Sequence, residues 1–226
     1  MQIQTDPEND FLFDASNTMY PSRLRVIRAQ QARVELPSGT IYGVVLQGVR
    51  RVRSGPFFAE LPHGGFFSCL STVELEGDGT VVLFERLGFL GIPTAGVCEA
   101  KGRLSYIDGC SSSILVMPPR CGDPVLNHLH FPPGVLQSEH VHPSIRFGVV
   151  LSGKGTAFGA SPDGSKKWET PLPSGAAFYL PAMDRHAFQT VGQEEPLNII
   201  SFHPESDWGP TDEAHPMLTR TYRMSK

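Results

Sequence analysis

Gly134-Val135-Leu136-Gln137-Ser138-Glu139-His140-Val141-His142 is the stretch on which the reading of this chain turns. Side chains alternate across an extended strand, so two histidines separated by one residue present both imidazoles to one face. Phe147-Gly148-Val149-Val150-Leu151 follows as a strand and ends at Gly153. Further on, Gly175-Ala176-Ala177-Phe178-Tyr179-Leu180-Pro181 leads into Ala182-Met183-Asp184-Arg185-His186. If this segment lies beside the first in a barrel, His186 completes a set of three imidazole nitrogens. Three facial histidines leave coordination positions open, which suits a catalytic Fe(II), Zn, Mn, Ni or Cu ion. A His-x-His pair alone fits surface or supporting histidines equally well, so the third histidine carries the reading.

The rest of the chain agrees with a β barrel. Its 226 residues include 23 Gly, 20 Pro and 14 Phe, a composition of tight turns and strands. Strand signals, rich in Val, Ile and Phe and bounded by Gly and Pro, cover 40–46, 66–75, 80–84, 114–117, 125–131, 147–151, 176–180 and 197–202. Residues 22–31 fit a helix or a strand equally. Residues 1–22 are polar and acidic without a clear period and read as an arm or a disordered lead. Residues 206–217 read as an irregular closing tail. A net charge of -4 gives no general attraction to nucleic acid. No run approaches the roughly 20 apolar residues of a membrane helix. The start of the chain has neither a basic stretch nor an apolar core of a signal peptide, so a cytoplasmic location is expected. Cys69, Cys98, Cys110 and Cys121 lack metal-ligand spacing and read as buried thiols.

An internal repeat accounts for the length. Tyr42-Gly43-Val44-Val45-Leu46-Gln47-Gly48 matches Phe147-Gly148-Val149-Val150-Leu151-Ser152-Gly153. Leu61-Pro62-His63-Gly64 and the strand after it match Leu172-Pro173-Ser174-Gly175 and its strand, and residues 80–84 fall where 197–202 fall in the second half. The order is the same in both halves.

The run Gly134-x5-His140-x-His142-x3-Arg146-x6-Gly153 resembles the first motif of the cupins, and Gly175-x5-Pro181-x4-His186 resembles their second. The resemblance covers about residues 125–203. It implies an all-β double-stranded β-helix, the cupin or jelly-roll barrel. With the repeat, it implies a bicupin with an N-terminal arm over 1–22, a degenerate metal-free unit over 23–118 and a metal-binding unit with a C-terminal tail over 119–226. By the same resemblance the metal ligands are His140, His142 and His186. Glu35 and Pro37 stand where the first copy would carry its histidines.

Three positions depart from the family pattern. Met183 replaces a turn glycine, Thr190 replaces a final asparagine, and Arg146 stands where cupins usually carry a metal-binding glutamate. A guanidinium stays protonated and cannot ligate a cation. The expected site is therefore a neutral three-histidine centre holding a divalent ion, Fe(II) or Zn(II), with Mn or Ni as alternatives. An inward-facing Arg146 needs an anion beside it, which a carboxylate substrate would supply. An outward-facing Arg146 would pair with a surface acid instead. His128 and His130 form a second His-x-His and are candidate substrate contacts, or else core histidines. Tyr179, Phe188 and Phe147 read as barrel wall, with Tyr179 and Phe188 as candidate substrate contacts. Arg50, Arg51 and Arg53 read as a solvated strand end, and His215 as an exposed turn residue.

Three functions fit. The first is a metal-dependent oxygenase acting on a small carboxylate or amino-acid-derived substrate. The second is a non-redox Zn enzyme of rearrangement or isomerisation, including N–N bond formation from an N-hydroxylated amino acid ester to give a hydrazine. The third is a small-molecule-binding module without catalysis, which an intact triad and the absence of a helix-turn-helix pattern disfavour. The expected partner is a small carboxylate, with no nucleic acid or membrane, and cupins often cover exposed strand edges with a second subunit, as in a homodimer.

Overall fold

The computed structural model of the chain describes residues 1–7, 10–161, 166–190 and 194–206. Among them it is nearly all strand, with one 3-10 turn at Ile107–Gly109. The expected strands are present, several with shifted ends: Gln31–Val45, Gly65–Asp78 and Val81–Arg86 in the first half. In the second half they are Ser111–Val116, Val125–Phe131, Arg146–Ser152, Ala177–Leu180 and Leu197–His203. The undecided segment after Pro21 is the strand Ser22–Ile27. Its residues alternate between buried and half-buried, with Leu24 and Val26 on one face and arginines on the other.

One sheet runs in the order Asp10–Ala15, Ser22–Ile27, Val81–Arg86, Gln31–Val45, Gly65–Asp78, Val49–Ser54, Phe57–Leu61, with Thr94–Val97 also paired to Gly65–Asp78. A second runs Gln2–Gln4, Ala177–Leu180, Arg146–Ser152, Leu197–His203, Val125–Phe131, Ser111–Val116, Leu104–Ser105. A three-stranded sheet of Lys167–Leu172, Gly155–Ala160 and His186–Gln189 completes the second half.

Alternation along these strands divides the apolar residues among three cores. Ile41, Val45, Phe67, Val73, Val81 and Leu83 fill the first half. Val150, Phe178, Phe188, Leu197 and Ile199 fill the second. The opposite faces of the same strands meet between the halves, where Tyr42, Val44 and Phe84 pack with Phe147, Val149 and Phe202. The Phe202 ring lies 5.1 Å from that of Tyr42 and 5.5 Å from that of Phe84.

The central strand of each half carries a glycine beneath a phenylalanine. Gly43 is paired with Phe67, and a Cβ on it would lie 2.2 Å from that ring. Gly148 is paired with Phe178, and a Cβ on it would lie 2.1 Å from that ring. The turns that follow also correspond. Gly64 donates to the Val45 carbonyl and Gly175 to the Val150 carbonyl, both at 2.9 Å, and both glycines have positive φ.

Several expectations are corrected. Residues 1–22 are not a disordered lead where they are described. Gln2–Gln4 adds a strand to Ala177–Tyr179 of the far half, and the Met1 ammonium pairs with Asp184. Residues 104–116, expected within the first unit, belong to the second sheet, because Ser111–Val116 pairs with Val125–Phe131. Arg50 is not solvated: it is fully buried and donates to the carbonyls of Ala29 and Gly79, closing two turns. Cys69 and Cys110 are buried, Cys98 is half-buried and Cys121 is exposed, all as free thiols. The closing tail beyond residue 206, including His215, lies outside the described residues. Among the described residues, no helix is long and apolar enough to cross a membrane.

Candidate metal centre

His140 and His142 lie on the extended connection between Val125–Phe131 and Arg146–Ser152, not on a regular strand as expected. The connection is held by isolated pairings instead. Leu136 bridges Gln189, and His140 bridges His186 with both backbone bonds at 3.0 Å. The Met183 N–H donates to the His142 carbonyl at 2.8 Å. These bonds bring the two motifs together, so the same-face arrangement of the histidines survives without a regular strand.

His140, His142 and His186 are all buried, and one nitrogen of each lies within 4.8 Å of the others. Their ring centroids are 5.0 Å (His140–His142), 4.6 Å (His140–His186) and 5.2 Å (His142–His186) apart. His140 Nδ1 donates to the Ser138 carbonyl at 3.0 Å, and His186 Nδ1 donates to the Asp184 carbonyl at 2.8 Å. A carbonyl only accepts, so each Nδ1 carries the proton and each Nε2 keeps its lone pair. This is the orientation that a neighbouring carbonyl imposes on a ligating histidine. Burial, followed by the nearby His142 and Arg146, holds His186 down to about 3. It stays neutral at ordinary pH, as a ligand must. The donor set therefore fits a divalent cation.

The cavity around the triad has a volume of about 20 Å³, room for little more than one water-sized species. Leu129, Phe178, Leu180 and Phe188 form its apolar wall, and Gln137, Arg146, Ser201 and His203 supply polar groups. Strand alternation explains the selection. Arg146 and Gly148 face inward while Phe147 and Val149 face the other half. Ser201 and His203 face inward while Ile200 and Phe202 do not.

Arg146 lines the cavity and is only 1% exposed, which excludes the outward-facing arrangement. It donates to the Ser144 hydroxyl and, at 2.9 Å, to the Ile145 carbonyl, and it lies 3.6 Å from the buried Glu205 carboxylate. Ser144 donates to the same carboxylate at 2.6 Å. The chain thus provides an anion for Arg146, so its burial does not by itself require a bound carboxylate.

Phe188 lines the cavity as expected of a wall residue, but Tyr179 does not. Its neighbour Phe178 takes the inward position, and Tyr179 packs 6.0 Å from Phe13 and 5.5 Å from Phe147 between the halves. His128 and His130 also face away, because Leu129 between them takes the inward position. Both bond to Asn198 Oδ1, at 3.0 and 2.9 Å, and Asn198 donates onward to Ser152. They form a buried polar cluster rather than a cavity wall.

Thr190, in place of the family asparagine, pins the start of the first motif. Its hydroxyl donates to the Pro132 carbonyl at 2.6 Å and accepts from the Val135 N–H at 3.0 Å. Sequence reasoning missed Gln137, Ser201, His203 and Tyr106 as cavity residues. His203 shares a strand face with Ser201, a signal readable only once that face is known. Tyr106 comes from a distant turn and gives no local signal.

Residues 127–203 match the family described as the cupin domain. The fold is that of the cupins. A cupin 2 conserved barrel domain protein from Leptotrichia buccalis superposes with a TM-score of 0.59 at 18% identity, covering 88% of this chain and 90% of that one. Protein Ylba from E. coli gives 0.64 at 15% identity, covering 90% of each chain. Oxalate decarboxylase from Bacillus subtilis, a protein with Mn(II) centres, gives 0.56 at 12% identity, covering 91% of this chain and 80% of that one. No curated protein matches the chain in sequence. The family match and the shared fold support the cupin superfamily.

Proposed function

We propose that the chain is a metal-dependent cupin enzyme acting on a small carboxylate or amino-acid-derived substrate by an oxygenase-type reaction. The observation that carries this reading is the convergence of three buried histidines and one buried arginine on a single cavity. His140, His142 and His186 would hold the ion, and Arg146 would orient a carboxylate toward it. When bound, the ion supplies Lewis acidity and, as Fe(II), a centre for O2 chemistry. The apolar wall of Leu129, Phe178, Leu180 and Phe188 excludes water from the reacting groups. The matching Gly43–Phe67 and Gly148–Phe178 pairs support a duplicated, bicupin origin, with the reactive centre in the second copy alone.

A non-redox reaction with Zn(II) or Mn(II) is the second reading. It is favoured by the neutral ligand set, which leaves the ion its full charge, and by the likeness in fold to an Mn(II) decarboxylase. Elemental analysis of the purified protein, followed by O2-uptake assays of the Fe(II)-loaded form with small carboxylates, separates the two. Fe(II)-dependent O2 consumption is expected. Turnover with Zn(II) or Mn(II) and no O2 consumption would select the second reading. In Arg146→Ala, carboxylate binding should weaken while metal content persists. Loss of metal with unchanged carboxylate affinity would remove Arg146 from the substrate role.

A further inference from the structure

We infer that Gln137 determines specificity in this cavity, and that the ligand it selects carries an N–H or O–H donor next to its carboxylate. The inference rests on the carboxylate reading above and refines it. Gln137 is 2% exposed, lines the same cavity as the three histidines and Arg146, and its Oε1 is buried with no hydrogen-bond partner. Buried carbonyl oxygens in native proteins are nearly always bonded, and an exception inside a cavity points to a partner brought by a ligand.

The position of this amide is set by its backbone. The Gln137 N–H donates to the Phe188 carbonyl at 3.1 Å, between the Leu136–Gln189 and His140–His186 bridges. Leu129, Phe178, Leu180 and Phe188 have no donor, and the Nδ1 protons of His140 and His186 are committed to carbonyls. The other donors that line the cavity, on Tyr106, His142, Arg146, Ser201 and His203, do not bond it, and a donor that arrives with the ligand would.

A plain carboxylate brings only acceptors and leaves Oε1 unpaired. A 2-hydroxy or 2-amino carboxylate brings a donor one carbon from the group that Arg146 would hold. Sites built to bond a substrate hydroxyl or amine discriminate strongly against analogues that lack it. Glycolate and acetate are the smallest pair of acids that differ by this one donor, so they serve as the diagnostic ligands.

The test is calorimetric titration of Zn(II)-loaded protein with each acid, for the wild type and for Gln137→Met. Glycolate can also chelate the ion, so the informative quantity is the acetate-to-glycolate ratio of dissociation constants, compared between the two proteins. That ratio should fall about tenfold in Gln137→Met, the worth of one hydrogen bond, with zinc content unchanged. An unchanged ratio overturns the role of Gln137 and leaves the carboxylate reading standing. If neither acid binds the wild type, the carboxylate reading falls and this inference with it. A crystal structure of the wild-type glycolate complex tests the point without a variant. A glycolate hydroxyl within about 3.2 Å of Gln137 Oε1 supports it, and a hydroxyl turned away overturns it.

Discussion

His140 and His186 exchange both of their backbone hydrogen bonds, each at 3.0 Å, although neither bond continues a ladder between regular strands. The pairing ties two ligands 46 positions apart in sequence into one rigid unit before any ion is present. A preformed site binds without the cost of ordering its ligands, and bound metal should then stabilise the folded state. Chelation should lower the unfolding temperature of the wild type and have no effect on His186→Ala, which should hold almost no metal by elemental analysis. A wild type indifferent to chelator, or a variant that retains full metal, would show that the triad is not the binding site.

Gly148 and Phe178 make a second close relationship. An added methyl at Gly148 would meet the Phe178 ring at 2.1 Å, so the ring must shift. Phe178 lines the metal cavity, whereas Phe67 above Gly43 belongs to the apolar core of the first half. Overpacking of this kind costs about 1–3 kcal/mol. Gly148→Ala and Gly43→Ala should each lose stability in urea titrations by that order, but only Gly148→Ala should also weaken metal binding. Equal metal affinity in the two variants would mean that the Phe178 ring does not set the cavity.

Met183 occupies the turn where cupins carry glycine, and the backbone there has kept the conformation that glycine favours, with φ of 61°. An L-residue in that left-handed region costs about 1–2 kcal/mol. The Met183 side chain is 59% exposed, so little packing offsets the strain. Met183→Gly should therefore stabilise the protein by about 1 kcal/mol, with the gain reduced by the greater freedom of glycine in the unfolded chain. A lower denaturation midpoint in Met183→Gly would show that the methionine makes contacts outweighing the strain.

The sequence was most legible where one interaction dominates. Val, Ile and Phe runs between glycines predicted the central strands, and the His-x-His spacing with His186 located the triad. It was least legible where the outcome depends on which face of a strand is turned inward. Tyr179 and Phe178 are both aromatic and adjacent, and only the packing of Tyr179 on Phe13 and Phe147 decides between them. His128 and His130 were legible as a pair sharing one face, but nothing local told that Leu129 would take the cavity side. The polar arm was unreadable for a different reason. Gln2–Gln4 gains its strand from backbone bonds to Ala177–Tyr179, and its apolar alternation is only Met1 and Ile3, which pack on the core of the second half, too short a pattern to read as a strand. Glu205, the anion beside Arg146, lies 59 positions away in a segment without regular pattern, so no spacing could join them.

The buried histidines also set the acid limit of the fold. Burial, reinforced by the neighbouring His130, holds His128 below its ordinary value of 6.5, and burial holds His186 down to about 3. Below pH 6.5 the unfolded chain takes up protons at these positions while the folded chain does not. Their contribution to stability is therefore complete above pH 6.5 and is lost as the pH falls toward the folded values, by up to about 1.4 kcal/mol per pH unit for each histidine. Glu85 acts in the opposite sense, since burial raises its carboxyl above the usual range and favours the folded state at lower pH. Comparison with a variant isolates the histidine effect. In urea titrations of metal-free protein, stability should fall from pH 7 to pH 5 more steeply in the wild type than in His128→Asn, the slopes differing by up to one proton. Parallel slopes would mean that His128 takes up its proton equally in the folded and unfolded chains, and that the His128–Asn198–His130 cluster tolerates charge.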